Sequence, residues 1–596
     1  MCLPFLNSTG GVGFPLTRWV RVDTATIDEN DNQTLVVFRI VPRTTPPIGG
    51  RDATARLLDA YAHWQCAAPR PHLPTGGYRV RRDGDDDVLT ALADGRALRR
   101  VAAPARVLAA RAGSGAVLAR LAPDESAAVE IVRSDGRVVP VAGARFALEQ
   151  AAWLPDGTVV LTADGRLRVG VVDADDGRWQ ESRDVPRGRI SVSTGGVLVR
   201  RSGTVLLCNF ARGSTMELPP DTVTVVEYDG VRALVRRDAI EVGSPRRRVV
   251  PTRGTAIGAA AGRGGVAVLT VDRGRHRLTL VDRGGRVRDT RLVAAGTDIC
   301  SVDALSVSDG EIHVRLDGVA TPPQVFRYPW REDPRTAIPA AGEIVVARAD
   351  DGADIDVLVT RPPDVRRPRP LLLDVYGGFG VAHVPHFEPT TAAWLDAGGA
   401  VALAQVRGGG ERDERWRQDG RGLRKRRAVD DLACAARELV AVGASRPDCL
   451  VLTGGSLGGT VAAAAALRHP GIAAAVVTTA APLDLARLSD NPLGSRWAGE
   501  FGDLHSEPAV AEHDPMSLAR SRAAGAPPFL VLDMADDSRI DAAQGPRFAE
   551  VLRRAGVDAQ HVRIAGAGHG PASPTALRDL GTRFLSYVAR VLEEDT

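Results

Sequence analysis

The chain changes texture along its length. From Gly77 to Asp333, short alternating or apolar runs are separated by tight turn signals: Asp94-Gly95, Asp135-Gly136, Asp156-Gly157, Asp164-Gly165, Asp229-Gly230 and Asp309-Gly310. Asp-Gly between such runs signals a hairpin, because both residues tolerate the positive φ of a two-residue turn. No stretch of helical period interrupts them. This pattern predicts a propeller or a solenoid of sheets, and four-stranded blades of about 40 residues give about six or seven of them. From Gly342 onward, apolar strand runs alternate with longer helical stretches, which predicts a mostly parallel sheet with helices on both faces. Ile338 to Ala341 reads as a linker between the two. Ahead of the β-rich part, the first fifty or so residues are turn-rich with one strand-like run, Thr34 to Val41. A helix is expected from Ala53 to Trp64, after the start signal Arg51-Asp52.

At 596 residues the chain is too long for one core, so two or more domains are expected. Hydrophobic content of 44% and charged content of 25% are those of a globular protein, and a net charge of +3 points to no particular partner. Six cysteines are scattered, at 2, 66, 208, 300, 434 and 449, with no Cys-x-x-Cys pair. They indicate neither a zinc site nor a disulfide framework, and most are expected to be small buried hydrophobes. No secretory signal and no membrane-length apolar run is evident, so a reducing cytoplasm is the expected location, without a membrane partner. Lys425 is the only lysine. The basic cluster Arg424 to Arg427 reads as a solvated face at the start of a helix over Val429 to Val442, too short to imply nucleic acid.

Candidate chemistry is concentrated in the last third. The apolar run Leu450 to Thr453 leads into Gly454-Gly455-Ser456-Leu457-Gly458-Gly459 and then an alanine-rich buried helix, Val461 to Leu467. Strand, glycine-flanked serine and helix form the context of a nucleophile elbow. It places the hydroxyl at a helix N-terminus that favours an oxyanion. A second strand-like run, Pro527 to Leu532, ends in a loop with two acids, Asp536 and Asp537. A third, Gln560 to Ala565, runs into Gly566-Ala567-Gly568-His569-Gly570. The order Ser456, then acid, then His569 is the hydrolase order. A serine needs a base to take its proton, histidine does this near neutral pH, and a carboxylate fixes its tautomer. The oxyanion needs donors: the Leu457 N–H, and a group from the loop after the strand Leu371 to Val375, which begins Tyr376-Gly377-Gly378-Phe379-Gly380. His561 is expected on a strand face in a structural role.

Together these residues resemble the prolyl oligopeptidase family of serine peptidases, over roughly Pro370 to Pro574. Tyr376-Gly377-Gly378-Phe379 matches the family's oxyanion loop, and Arg407-Gly408-Gly409-Gly410-Glu411 with Trp416 matches its arginine-glycine signature. Gly454 to Gly459 matches the nucleophile motif. Trp497-Ala498-Gly499-Glu500-Phe501-Gly502 resembles the segment beside the S1 pocket. Asp537-Ser538-Arg539-Ile540 resembles the acid loop, and its spacing favours Asp537 over Asp536. The resemblance implies Ser456, Asp537 and His569 as a triad. It implies oxyanion donors at Tyr376 and Leu457, and an S1 pocket framed by Phe379, Trp497 and Ile540, with Arg539 on a substrate carbonyl. Leu457 replaces a frequent asparagine and Phe501 a common tyrosine. Arg407 and Glu411 are expected to form a structural ion pair.

The resemblance also implies a C-terminal α/β-hydrolase domain capped by an all-β propeller of seven blades, with an N-terminal segment on the catalytic domain. The corresponding ranges are 1–76, 77–335 and 342–596. The expected activity is hydrolysis of short peptides on the carboxyl side of proline, without metal or cofactor. Alternatives within the family are acylaminoacyl-peptidase, basic-residue oligopeptidase and leader-trimming peptidase. For a basic-residue enzyme, Glu500 and Asp503 make no obvious pair. A non-enzymatic propeller platform is the alternative outside it. Oligomeric state is left open.

Overall fold

The computed structural model describes residues 53–594 except 68–72, 84–85, 103–104, 112, 122–125, 141–145, 154–157, 164–165, 172–188, 194–195, 202, 210–213, 244–247, 364–367, 491–496, 503–507 and 571–573. The run Thr34 to Val41 and the turn signals at 156–157 and 164–165 lie outside the described residues. The other Asp-Gly signals lie in strand connections. At Asp229-Gly230 and Asp309-Gly310 both residues have positive φ, 49° and 73°, then 52° and 76°. The strands join across them, Tyr228 opposite Val231 and Ser308 opposite Glu311. These are the mirror-image turns that match strand twist.

Between residues 78 and 328 the described strands form only antiparallel sheets, over 78–102, 105–171, 189–218, 222–251, 255–292 and 294–328. No helix lies among the described residues there. One strand of each unit packs on the next. The succession is Tyr78–Asp83, Ala105–Arg111, Phe146–Trp153, Arg189–Ser193, Thr222–Tyr228, Thr255–Gly262 and Asp298–Ser308. The circle closes where Gly76 N–H donates to Val307 O at 2.7 Å and the Ser306 hydroxyl donates to Pro74 O at 2.7 Å.

An eight-stranded sheet follows. Its order is Ala341–Arg348, Asp354–Arg361, Ala400–Ala404, Leu371–Val375, Leu450–Gly455, Ala475–Thr479, Phe529–Met534 and Ala559–Ile564. The pairings among the first three strands are antiparallel and the rest parallel. Central strands are buried along their whole length, as in Ala400–Ala404 and Phe529–Met534. Both faces are therefore covered, which explains unbroken apolar runs where a one-sided sheet would alternate. One face packs against the helices Lys425–Ala441, Leu457–Arg468 and Gln544–Arg554, the other against Pro389–Asp396 and Pro574–Glu594. Ile338, expected in a linker, is buried in that second core.

The expected helix at residue 53 spans Ala53–Ala67. Its Leu57, Tyr61 and Trp64 are buried in the second core. Tyr61 donates to Leu577 O, and Trp64 meets Phe387 edge to face at 5.8 Å. The β-rich part meets the loop ahead of the helix Pro389–Asp396 through Ile299, Val319 and Ala320, buried in that second core, and through polar contacts. The Ser301 hydroxyl donates to Pro385 O at 2.6 Å, and Phe387 N–H donates to Asp317 at 3.2 Å.

Candidate active site

Ser456 sits between the strand Leu450–Gly455 and the helix Leu457–Arg468 with φ 53° and ψ −127°. A non-glycine residue at positive φ is strained, and such strain concentrates at functional turns. The flanking glycines are required by close approach. A Cβ on Gly458 would stand 2.0 Å from Val375 O, and one on Gly454 would stand 2.4 Å from the Gly458 carbonyl carbon. Absence of side chains therefore lets the turn sit directly on the neighbouring strand.

Two loops at the same sheet end bring the other groups. Asp537 Oδ2 accepts from His569 Nδ1 at 2.8 Å. That leaves Nε2 to accept the Ser456 hydroxyl, 3.0 Å away. Asp537 Oδ1 accepts from the backbone N–H groups of Arg539 at 2.8 Å and Ile540 at 3.1 Å, so the carboxylate is held from both sides. Asp536 is exposed and reaches the histidine loop only through its backbone N–H, which donates to Ala567 O at 2.9 Å. The structure thus joins Asp537, not Asp536, to His569.

The loop Tyr376-Gly377-Gly378-Phe379 lies over the start of the serine helix. A Cβ on Gly458 would be 3.2 Å from Tyr376 Cα, and one on Gly378 would be 2.6 Å from Leu457 Cδ1. Leu457 is the first residue of that helix, so its N–H has no intrahelical partner. Burial, helped by the charge of Glu500 and opposed by Arg539, raises the Tyr376 phenol above its ordinary pKa. The phenol therefore keeps its proton and can donate.

Phe379, at φ 55°, meets Trp497 and Phe501 edge to face, at 6.3 Å and 6.5 Å. Ile540 is buried and Arg539 half-buried, both next to Asp537. The structure thus brings Phe379 together with Trp497, and Arg539 and Ile540 together with Asp537. His561 pairs with Asp533 at 2.8 Å on neighbouring strands, within the sheet.

Two expectations need correction. Arg407 does not pair with Glu411. Its guanidinium grips Asp431, with Nε–Oδ2 at 2.9 Å, and also pairs with Asp351. Glu411 accepts from His383 N–H at 2.7 Å. Burial raises the Glu411 carboxyl to about 7, against the backbone bonds that lower it. The glycines between the two residues turn their side chains apart, so proximity in sequence misled. Nor is Lys425 part of a solvated face. It is 1% exposed, and Nζ donates to Glu500 Oε1 at 2.7 Å and Gly377 O at 2.9 Å. Burial pulls its ammonium below the ordinary pKa, opposed by Glu500. Sequence reasoning missed this pair. The available signal was a single lysine in a chain whose other basic side chains, histidine aside, are all arginine. Asp503 lies outside the described residues.

Among the described residues no cluster of His, Cys, Asp or Glu could hold a metal ion, and no helix is long and apolar enough to cross a membrane.

Residues 385–595 match the model of the prolyl oligopeptidase family. The chain is 30% identical over 211 residues to Prolyl oligopeptidase ophP of Omphalotus olearius, covering 33% of this chain and 28% of that protein. It is 25% identical over 313 residues to a prolyl endopeptidase of Elizabethkingia miricola, covering 49% and 44%. The matched stretches thus span less than half of these relatives' own length. Solved structures share the architecture over about nine-tenths of the chain. One from a study of two prolyl endopeptidases and their inter-domain dynamics has a TM-score of 0.76 at 19% identity, covering 91% of this chain and 92% of that one. Oligopeptidase B from Trypanosoma brucei has a TM-score of 0.68 at 14% identity, covering 90% of each. The chain therefore joins a β-propeller to an α/β-hydrolase sheet and carries, over residues 385–595, a prolyl oligopeptidase family domain.

Proposed function

We propose that this chain is a serine oligopeptidase that cleaves short peptides on the carboxyl side of proline through an acyl-enzyme on Ser456. The observation that carries the reading is the hydrogen-bonded chain from Asp537 through His569 to Ser456, at 2.8 Å and 3.0 Å. In this reading His569 Nε2 takes the Ser456 proton as Oγ attacks the scissile carbonyl. Asp537 stabilises the imidazolium. The oxyanion accepts from the Tyr376 hydroxyl and the Leu457 N–H, in a low-dielectric site where such donors have most effect. The histidine proton passes to the departing amine, and water, activated by the same base, releases the acyl group.

Proline at S1 is favoured by the aromatic wall of Phe379 and Trp497 and by the apolar Ile540 beside the acid. A basic P1 residue is disfavoured because the Glu500 carboxylate is already paired with Lys425. Arg539 would bind a substrate carbonyl.

Seven blades are supported by seven successively packed strands and by the closure at Gly76–Val307. Such a ring, docked on the sheet, would restrict access to flexible peptides. We divide the chain into an N-terminal segment, 1–76, a propeller, 77–335, and a catalytic domain, 342–596. A cytoplasmic setting fits the four described free cysteines, all buried.

A panel of chromogenic substrates ending in Gly-Pro, Phe, Arg or acetyl-Ala tests the reading. The Gly-Pro substrate should be turned over fastest, and a preference for Arg would overturn the proline assignment. A short peptide should be cut far faster than a denatured protein, and equal cleavage would count against the propeller filter.

A further inference from the structure

Lys425 opens the helix Lys425–Ala441, yet its ammonium is sealed inside the protein. A buried charge is costly unless it is paired and its remaining protons are bonded. Here two of its three protons have acceptors, and each lies on a different wall of the candidate site. One is Gly377 O, in the loop that carries Tyr376 and Phe379. The other is Glu500 Oε1, in the segment that carries Trp497 and Phe501. Both walls need such support. Phe379 has a φ of 55°, a strained backbone for a non-glycine residue that its surroundings must hold. The short helix Ala498–Phe501 is only four residues long and does not stabilise itself. Glu500 is also inserted between the walls: a Cβ on Gly378 would stand 3.0 Å from Oε1. The Arg421 Nε donates to Gly499 O at 2.7 Å and braces the same segment from outside.

The choice of lysine is informative. Every other basic side chain except histidine is arginine. A guanidinium is a broad planar fork, whereas an ammonium is a compact point charge with rotatable donors. An ammonium can aim separate protons at a glycine carbonyl and a carboxylate without the planar alignment that a guanidinium needs.

We propose that Lys425 and Glu500 are positioning residues, a buried strut that fixes the Tyr376 loop and the Trp497 wall relative to each other. Neither touches the reacting atoms. The inference rests on the serine-peptidase reading above. It adds that oxyanion geometry and S1 geometry are coupled through one ion pair.

The test separates a strut from a merely structural pair. A fluorophosphonate titration of Ser456 counts competent sites, and kcat and KM are expressed per titrated site on a Gly-Pro substrate. Lys425→Met leaves Glu500 buried with only Arg421, 4.0 Å from Oε2, to offset its charge. It should lower the melting temperature and reduce kcat per site by about 10- to 100-fold, the scale of a misplaced oxyanion donor. The double variant Lys425→Met/Glu500→Leu removes both charges, and such replacements are often neutral for folding. Its melting temperature should return towards wild type, while kcat per site stays depressed by about tenfold or more and KM stays raised. Glu500→Gln keeps an acceptor for Nζ and should lie closer to wild type than Lys425→Met. Lys425→Arg should not rescue. A double variant with wild-type kcat and KM per site would overturn the strut and leave the peptidase reading intact. A wild-type protein that the probe does not label would overturn both.

Discussion

The Arg273 guanidinium, at the tip of a propeller hairpin, grips Asp356, a carboxylate 0% exposed on the strand Asp354–Arg361 of the catalytic sheet. Arg412 reaches the same carboxylate from the catalytic side, at 2.7 Å. The hairpin turn is Arg273-Gly274, both at positive φ, and a Cβ on Gly274 would strike Gln405 at 2.4 Å. A local turn preference thus sets the guanidinium against the sheet and ties the two domains.

This contact predicts an acid sensitivity. Burial pushes the Asp356 carboxyl up, but the bonds from Arg273 and Arg412 outweigh it and hold the pKa below the ordinary value. A depressed folded-state pKa means that the stabilisation is present above the unfolded value, about 3.9, and is lost as pH falls through the folded one. Arg273→Met removes one of the two cations. Its urea midpoint should fall away at higher pH than wild type does, with a small effect at neutral pH because Arg273 is half exposed. Asp356→Ala removes a buried carboxylate with its hydrogen bonds but leaves two partly solvated cations, 50% and 27% exposed, and should cost about 1–2 kcal/mol. Coincident acid profiles for Arg273→Met and wild type would contradict this.

Tyr376→Phe removes one hydroxyl and little else. If that hydroxyl donates to the oxyanion, kcat should fall by about 100- to 1,000-fold with little change in KM. An equal rise in KM with unchanged kcat would place Tyr376 in ground-state binding instead.

Trp497→Ala opens the wall that meets Phe379 edge to face at 6.3 Å. Loss of the burial and of the aromatic contact is together about 2 kcal/mol or more, about 30-fold in kcat/KM for proline at P1. The loss should be smaller for alanine at P1, so the ratio of the two substrates is the measurement. An unchanged ratio would remove Trp497 from the pocket.

Gly458→Ala tests the elbow. The added methyl would stand 2.0 Å from Val375 O, backbone that cannot swing aside. Destabilisation of at least about 1–3 kcal/mol is expected, with loss of activity. A variant as stable and active as wild type would mean that the turn does not sit on that strand.

Local signals were legible in the sequence, and long-range pairings were not. Leu371 to Val375 was placed to the residue, and the strand, serine and helix at Leu450 to Leu467 to within a few. Each of these is written in the period or the turn chemistry of a single segment. Arg407 shows the opposite case: its partner Asp431 lies 24 residues on and Asp351 lies 56 residues back, whereas the nearby Glu411 binds the backbone of His383, 28 residues back in a loop. Lys425 sits in the basic run Arg424 to Arg427, which suggests a solvated face; Arg424 and Arg426 are indeed exposed, but the carboxylate that buries Lys425 lies 75 residues away. Asp536 and Asp537 are alike by composition, and spacing to Arg539 and Ile540 favours the second, which the loop's path brings to Nδ1 of His569.

The central claim is that Ser456 is a nucleophile activated by His569. Mass spectrometry of the intact protein after exposure to a fluorophosphonate, with peptide mapping, measures this directly. The expected result is one adduct on Ser456 in the wild type, none on Ser456→Ala, and labelling slowed by orders of magnitude in His569→Ala. A folded wild-type protein that takes no adduct at Ser456, or takes it as fast without His569, would contradict the account.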